Sequence, residues 1–302
     1  MGKNILVVLQ GTPGEAVLDA YQVLQREAAN AEGRRTGHSV EIVMAPAWDQ
    51  LRVIRKRLGD DAAAPLDAIV VEPASASGID LLLQAVQGRS GLVFTNSWDP
   101  AVDGSAPLWR EKGMPLGTMS VDYRRIGEIQ ARQVAKMLPG GGEVLCVTGP
   151  QRASSVADRR AGFTALLPAG LAVHEAEAGG WLEADGRTAF AAWYRLGQSR
   201  PLDVRVIAAH SDELAVGARE ASREVPNAGL RTMFAAARVL GMDACPGFGR
   251  RLVDSGALAA SVTTPATTGP AIAGLDHFWR TGEPLPMQAL AGIPEPYPSH
   301  SA

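Results

Sequence analysis

The chain has 302 residues, 46% of them hydrophobic and 20% charged, and a formal net charge of −3. This length predicts about two domains and a sizeable buried core. Phosphate contacts need clustered Lys and Arg, so the slightly acidic balance argues against a nucleic-acid partner. The sequence has no run of about 18 apolar residues, so no membrane-spanning helix is expected.

Short apolar runs alternate with helical patterns over the first 121 residues. The capping-box pattern Thr12–Glu15 predicts a helix that reaches about Glu32. Further helices are predicted at Asp49–Leu58 and Gly78–Gln87, and the segment Asn96–Pro115, which contains Pro, Gly and Trp, is interpreted as a loop. The predicted strands are Asn4–Leu9, Val40–Met44, Ala68–Val71, Leu92–Thr95 and Leu116–Val121.

A second series begins with a predicted helix at Arg124–Leu138, and only 225–237 is left without an assignment. Its strands are predicted at Glu143–Val147, Ala172–Ala176, Val204–Ala208, Arg238–Met242 and Leu258–Val262. Its helices are predicted at Ser155–Leu167, Gly186–Leu196, Asp212–Glu224, Gly249–Asp254 and Gly269–Thr281, before a Pro-rich tail. Strands alternating with helices of this length predict an α/β fold with parallel sheets and right-handed crossovers.

The cysteines and the amino terminus bear on the compartment. Cys146 and Cys245 form no CxxC pair, so a buried, inert thiol is expected rather than a disulfide framework. The first residues contain too few apolar side chains for a secretory leader and are interpreted as a strand. The expected location is therefore cytoplasmic as the chain stands, or periplasmic if a leader has been removed.

The segment Gly142–Phe163 is the most informative of the chain. An apolar run ends in Thr148-Gly149-Pro150, and a polar loop then opens into a helical pattern. In doubly wound sheets, ligands bind outside the carboxyl ends of the strands. The polar groups expected there include Ser154, Asp158 and Arg159, which suit holding a polar ligand rather than cleaving it.

Catalytic and cofactor motifs are missing from the sequence. It contains no GxxxxGK[ST], HExxH or GxSxG pattern, no GxGxxG after the first strand, and its five histidines lack metal-ligand spacing. We therefore expect a binding protein without cofactor or metal. An enzyme acting on a sugar, with Glu72 and Asp243 as acid and base, is the less favoured alternative, because no spacing in the sequence brings the two together.

Five segments, taken in order, carry a family resemblance. They are LDAIVVEPASASGIDLLLQAV, GLVFTNSWD, MSVDYRRIGEIQARQVAKML, GEVLCVTGPQRASSVADRRAGF, and VRVIAAHSDELAVGA together with LGMDACPGFGRRLVDSGALAASVTTPATTG. Each is weakly specific, but their order and spacing resemble the type I periplasmic sugar-binding proteins of the ribose-binding group. They also resemble the effector domains of lac-repressor-type regulators, which share that fold. The likeness extends from about Ile5 to Gly282.

This resemblance implies two similar doubly wound parallel-sheet lobes joined by three crossing strands. Lobe one would be 1–121 plus 265–293, and lobe two 122–264 plus 294–302. A small sugar-like ligand would bind in the cleft between the lobes, and a hinge motion would close them. The implied function is the solute-binding component of a carbohydrate ABC importer. The alternative is a cytoplasmic effector-sensing module that lacks a DNA-binding domain, since strand one already begins at Asn4.

The resemblance and the strand-end positions together give nine candidate ligand-binding residues. They are Gln10, Glu72, Asn96, Ser97, Arg159, Trp181, Ser211, Asp243 and Thr264. Sugars present hydroxyls that need paired donors and acceptors, and C–H faces that pack on aromatic rings. An arginine fork can hold two oxygens at once.

Structural alternatives stay open for several candidates. Asp243 could cap a helix, Arg159 could form a salt bridge between helices, Trp181 could pack in the core, and Glu72 could cap the helix that follows it. The chain also departs from the family: Gly11–Glu15 replaces an Asn-Pro and tandem aromatics, and Ser97 replaces an arginine. Ribose in the usual pose is therefore not expected, whereas a related sugar, a polyol or another small polar metabolite remains open.

Overall fold

The structure is a computed structural model that describes residues 2–11, 19–46, 48–60, 62–73, 76–96, 98–197 and 203–301. The chain divides into two compact units. The first unit is Met1–Val121 with Pro265–Ile293, and the second unit is Asp122–Thr264 with Pro294–Ala302. Within the described residues, every helix is too short or too polar to cross a lipid bilayer. Ser97 and the predicted capping box Thr12–Glu15 lie outside the described residues.

The strands and helices alternate along most of the chain. The strands are β1 Asn4–Gln10, β2 Ser39–Ala45, β3 Ala68–Val71, β4 Gly91–Thr95, β5 Leu116–Ser120, β6 Gly142–Thr148, β7 Leu171–Glu177, β8 Val204–Ala209, β9 Arg238–Leu240, β10 Ser261–Val262, β11 Ala289–Leu290 and β12 Pro296–Tyr297. The helices are α1 Ala20–Thr36, α2 Gln50–Leu58, α3 Ala76–Val86, α4 Pro100–Glu111, α5 Tyr123–Met137, α6 Ser154–Leu166, α7 Glu183–Gly197, α8 Asp212–Arg223, α9 Ala228–Ala236, α10 Gly249–Asp254 and α11 Thr268–Thr281.

The first unit contains a parallel sheet in the order β11-β5-β4-β3-β1-β2. Alternate residues of β1 point to opposite faces. Leu6 and Val8 pack in a cluster with Ile54, whereas Ile5 and Val7 pack in a separate cluster with residues of α11. Because both faces are covered, β1 is an uninterrupted apolar run rather than an alternating one.

The second unit repeats this plan with a parallel sheet in the order β7-β6-β8-β9. Leu145 and Val147 pack on one face and Val144 on the other. Parallel bridges join Leu240 to Ala260 and Asp243 to Thr263, which brings the chain before and after β10 alongside the end of β9. Both sheets have the doubly wound arrangement, and the predicted fold class is confirmed.

Helices α5 and α6 pack backbone against backbone. A Cβ added to Gly162 would collide with the carbonyl oxygen of Arg124, and one added to Gly127 would collide with that of Arg159. The two glycines therefore let the helix axes approach more closely than side chains would allow. Because Arg159 lies at this contact, the close packing of the two helices fixes the distance between Arg159 and the first turn of α5.

Helices α7 and α8 use the same device. A Cβ on Gly186 would meet the backbone of Leu214, and one on Gly217 would meet the carbonyl of Glu183. The close approach fixes the amino-terminal parts of α7 and α8 against each other. The residues just before α7 and those just before α8 are therefore held next to each other as well.

The structure corrects the interpretation of Asn96–Pro115 as a loop. Most of it is helix α4, which begins at Pro100 because the Asp99 side chain accepts a hydrogen bond from the N–H of Ala101. A proline fits the first helical turn, and the buried Trp109 anchors the last. The Pro and Gly residues resemble loop signals, but capping and burial outweigh them.

Smaller corrections concern segment ends. Helix α1 runs from Ala20 to Thr36 with Asp19 as its cap, so it extends beyond the predicted end near Glu32, and its predicted start at Thr12–Glu15 lies outside the described residues. The unassigned segment 225–237 contains α9, whose cap is Asn227. The predicted strand Leu258–Val262 shortens to β10, because Leu258 and Ala259 lie in a bend and Ala260 forms only an isolated bridge to Leu240.

Cys146 is a free, buried thiol, as expected, and Cys245 is buried as well. Burial raises the pKa of the Cys146 thiol to about 12. The thiolate is the reactive form, so this thiol is inert at neutral pH.

We predict that Gly162→Ala destabilises the protein by about 1–3 kcal/mol, because the new methyl group forces α5 and α6 apart. The matched control is Gly104→Ala in α4, where a Cβ would meet nothing within 4 Å. Alanine is the better helix former by about 1 kcal/mol, so the control should be as stable as the wild type or more stable. Urea unfolding measures both, and equal stability of Gly162→Ala and wild type would contradict the close-packing argument.

Candidate functional site

The candidate site in the second unit lies at the carboxyl edge of its sheet. Arg159 is on α6, the helix that follows β6. Ser211 lies two residues beyond the end of β8, and Asp243 lies three residues beyond β9. The carboxyl ends of parallel strands are where doubly wound sheets bind ligands. The topology therefore brings these polar residues to one edge.

The Arg159 guanidinium is almost fully buried, with 4% of the residue exposed. Its Nη1 donates to the carbonyl oxygen of His210 at 2.5 Å. Its Nη2 lies 3.7 Å from Oδ1 of Asp243, an ion-pair distance too long for a good hydrogen bond. Among the described residues, neither Nε of Arg159 nor Oδ1 of Asp243 has a hydrogen-bond partner.

Two aromatic rings lie against the same guanidinium. Its carbon is 4.9 Å from the ring centroid of Tyr123 and 5.4 Å from that of Trp181, within the range of cation–π attraction. Trp181 packs on Gly149, where a Cβ would collide with its ring. We call Tyr123, Arg159, Trp181 and Asp243 the arginine cluster.

Asp243 is held in an uncommon backbone conformation. Its φ of 92° is in the left-handed region, and the residue is buried. Its N–H donates to the carbonyl of Val262 at 2.8 Å, and its carbonyl accepts from the N–H of Thr264 at 3.2 Å. Burial raises the pKa of the Asp243 carboxyl, and the positive charge of Arg159 opposes this rise.

Ser211 and Thr264 lie close to the cluster, with different surroundings. The Ser211 hydroxyl caps α8 by accepting from the N–H of Leu214 at 3.1 Å, and it donates to the carbonyl of Trp181 at 3.4 Å. Thr264 is buried beside Asp243. The Ser211 side chain thus has a structural role, and its role in ligand binding stays a prediction.

In the first unit, Gln10, Glu72 and Asn96 follow or end the adjacent strands β1, β3 and β4. The Glu72 carboxylate accepts from Nε2 of Gln22 at 3.1 Å. Asn96 is buried with a left-handed φ of 63°, and its Oδ1 lies 3.5 Å from the hydroxyl of Tyr21. The structure therefore brings these three residues to one sheet edge, whereas Ser97 lies outside the described residues.

Sequence reasoning missed residues that contact the candidates. Tyr123 packs on Arg159, Gln22 bonds Glu72, and the carbonyl of His210 accepts from Arg159. An aromatic residue at the first position of a helix that follows a strand end was a usable signal for Tyr123. A backbone carbonyl carries no side-chain signal at all. In the described part of the chain, no group of three or more His, Cys, Asp or Glu side chains is placed to hold a metal ion.

Residues 16–272 match a family model described as a periplasmic binding protein domain. The match covers most of the chain, and the protein belongs to this family. No curated protein sequence matches the chain.

Solved structures of similar fold agree with this assignment. A periplasmic solute-binding protein from Actinobacillus succinogenes 130z with bound D-allose has 16% identity and a TM-score of 0.74, covering 97% of this chain and 96% of that one. A solute-binding protein from Bacillus halodurans C-125 with bound myo-inositol has 19% identity and a TM-score of 0.74, covering 100% and 99%. The arabinose-binding component from Shewanella sp. ANA-3 has 17% identity and a TM-score of 0.75, covering 98% and 93%. These likenesses show the fold, that of type I periplasmic binding proteins.

We predict that His210 makes the protein less stable in mild acid. Burial lowers the pKa of His210 well below its ordinary value of 6.5, and Arg159 lowers it further. Below pH 6.5 the unfolded chain binds a proton that the folded protein does not. The free energy of unfolding therefore decreases as the pH is lowered, by up to about 1.4 kcal/mol per pH unit.

The measurement is urea unfolding of wild type and His210→Gln between about pH 7 and pH 5. The variant keeps a polar side chain of similar size that does not titrate, so its stability should fall less over this range. Parallel pH profiles would show that His210 takes up its proton in the folded protein as readily as in the unfolded chain.

Proposed function

We propose that this protein binds a small neutral polyhydroxylated ligand, a sugar or a polyol, without changing it chemically. In this proposal it is the solute-binding component of a carbohydrate ABC importer and works in the periplasm. The arginine cluster supplies the main argument from the residues. The family assignment supplies the argument from relatives.

The observation that carries the proposal is a buried donor and a buried acceptor, on the ion-paired Arg159 and Asp243, that both lack a hydrogen bond within the described part of the chain. Nε of Arg159 and Oδ1 of Asp243 have no hydrogen-bond partner among the described residues. Buried polar atoms without partners are uncommon, and each calls for an explanation. A ligand hydroxyl can accept from one such group and donate to another, which a purely apolar or purely anionic ligand cannot do.

The charge balance of the cluster favours a neutral ligand. Asp243 lies 3.7 Å from Arg159, so the buried positive charge already has a negative partner. A phosphate or carboxylate would gain attraction from Arg159 but meet repulsion from Asp243 at short range. The rings of Tyr123 and Trp181 add apolar faces on which the C–H groups of a sugar ring can pack.

The relatives support the same ligand class. Solved structures of this fold are described with bound D-allose, L-arabinofuranose, myo-inositol or glycerol, and several of these proteins are described as ABC transporter binding proteins. The family consists of binding proteins, which supports a non-catalytic role. The identity of the sugar, the importer partner, the compartment and the predicted hinge closure belong to the proposal. So do the ligand contacts of Gln10, Glu72, Asn96, Ser97, Ser211 and Thr264.

The first test is a thermal-shift screen against D-allose, L-arabinose, myo-inositol, glycerol and ribose 5-phosphate. A ligand at about a hundred times its Kd stabilises the folded state by about 2.7 kcal/mol, which raises Tm by several degrees. We expect a rise with at least one neutral compound and none with the phosphate. A rise with the phosphate alone would favour a sensor of charged metabolites, and no rise with any compound would contradict the ligand class.

We predict that Arg159→Ala and Asp243→Ala each weaken binding of the best compound by about ten- to a hundredfold, because each removes a charge-assisted hydrogen bond. The matched control is Arg160→Ala, the next residue on α6. Arg160 forms a half-exposed pair with Glu175, and such surface pairs contribute little.

Titration calorimetry measures the Kd of each variant at a temperature where circular dichroism shows it folded. The control should bind within about twofold of the wild type, since an exposed pair is worth less than about 1 kcal/mol. Wild-type affinity in Arg159→Ala or Asp243→Ala would remove that residue from the binding site.

A further inference from the structure

The carboxyl group of Asp212 is buried beneath the turn that presents Asp243. Asp212 is the first residue of α8, and 1% of it is exposed. Its Oδ1 accepts a hydrogen bond from the Ser261 hydroxyl at 2.7 Å, and its Oδ2 accepts one from the N–H of Ala244 at 2.8 Å. The carboxyl thus connects α8, β10 and the turn after β9.

The chain after β9 is shaped to receive this carboxyl. A Cβ on Gly241 would collide with Oδ1 of Asp212, and a Cβ on Gly249 would collide with Oδ2. Two glycines, one at each end of the segment 241–249, therefore leave the space that the carboxyl fills. Ordinary side chains at either position would push the turn away from Asp212.

The turn itself adopts a conformation that its residues do not favour. Asp243 and Ala244 have φ values of 92° and 42°, in the left-handed region that residues with a Cβ seldom occupy. Such residues persist when their surroundings hold them there. Ala244 is held through its N–H by Asp212, and Asp243 through its N–H by the carbonyl of Val262 at 2.8 Å.

We propose that Asp212 is a positioning residue for ligand binding: it holds the turn at Asp243 and Ala244 so that the Asp243 carboxylate faces Arg159. The effect on ligand affinity rests on the proposed function, whereas the effect on the turn does not. The hydrogen bonds of the Asp212 carboxyl go to Ser261 and Ala244 rather than to Arg159, so Asp212 acts through the turn.

The buried carboxyl group of Asp212 indicates that this residue does more than stabilise the fold. Burial raises the pKa of its carboxyl well above the ordinary value, and the nearby Asp243 raises it further. Placing a second acidic group beside a buried carboxylate is unfavourable unless hydrogen bonds compensate. The two bonds it accepts are directed at the turn and at the strand beside the turn.

The test compares Asp212→Ala with two other variants. Asp212→Asn keeps an oxygen for the N–H of Ala244 and can donate its amide to the Ser261 hydroxyl, so the turn should be preserved. Ser261→Ala removes the hydrogen bond from Ser261 to Asp212 but leaves the bond from Ala244. It therefore controls for the stability lost in Asp212→Ala, while the turn should keep its conformation. If Asp212→Ala does not fold, Asp212→Ser, whose side chain is shorter, is measured in its place.

Two readouts separate positioning from folding. Titration with D-allose and myo-inositol should show affinity about tenfold or more weaker in Asp212→Ala, with the two comparison variants within about threefold of wild type. Amide hydrogen exchange without any sugar should rise in segment 241–249 of Asp212→Ala and stay low in Asp212→Asn. A further change, Ala244→Gly, should restore part of the affinity of Asp212→Ala, because glycine adopts a positive φ without strain.

The results distinguish the two proposals. Unchanged exchange in Asp212→Ala would overturn the positioning role. Raised exchange with unchanged affinity would overturn its importance for binding. If the wild type binds neither sugar, the proposed ligand class fails, and the exchange data alone decide whether Asp212 holds the turn.

Discussion

The guanidinium of Arg159 is buried in the second unit, where four residues from separate segments contact it. A buried cation is tolerated only with charge partners, hydrogen bonds or aromatic faces around it. The structure supplies all three: Asp243 at 3.7 Å, the carbonyl of His210 at 2.5 Å, and two rings within 5.4 Å. Each comes from a different part of the chain.

This arrangement depends on close helix packing. Gly127 and Gly162 let α5 and α6 touch through their backbones, which brings Tyr123 to the guanidinium. The turn after β9 delivers Asp243 in a left-handed conformation, and the buried Asp212 accepts the N–H of the next residue. Local rules are broken at these positions, with two close acidic groups and strained backbone. Departures of this kind concentrate where a protein binds its ligand.

The fold is largely readable from the sequence because its central strands are buried on both faces. Residues Ile5 to Leu9 form a continuous apolar run, which indicates a central parallel strand without any tertiary information. Helix α4 is not readable in this way, because Pro100, Gly104 and Pro107 resemble loop signals. Only the cap from Asp99 and the burial of Trp109 explain why it forms.

The site is less readable than the fold. Arg159 and Asp243 are predicted from the family resemblance and from their positions beyond strands. That they lie 3.7 Å apart depends on helix packing and on the backbone angles of one turn, which no local pattern encodes. Tyr123 and Asp212 are not predicted, for the same reason. Their importance comes from contacts with residues 36 and 32 positions away in the chain.

The central claim is that the arginine cluster itself contacts a neutral sugar or polyol. Tryptophan fluorescence tests it directly, because Trp181 lies 5.4 Å from the guanidinium of Arg159. We expect a saturable change in emission when D-allose or myo-inositol is added to the wild type, and its loss in Trp181→Phe, which keeps an aromatic face. An equal change in Trp181→Phe would place the bound sugar away from the cluster and contradict the account.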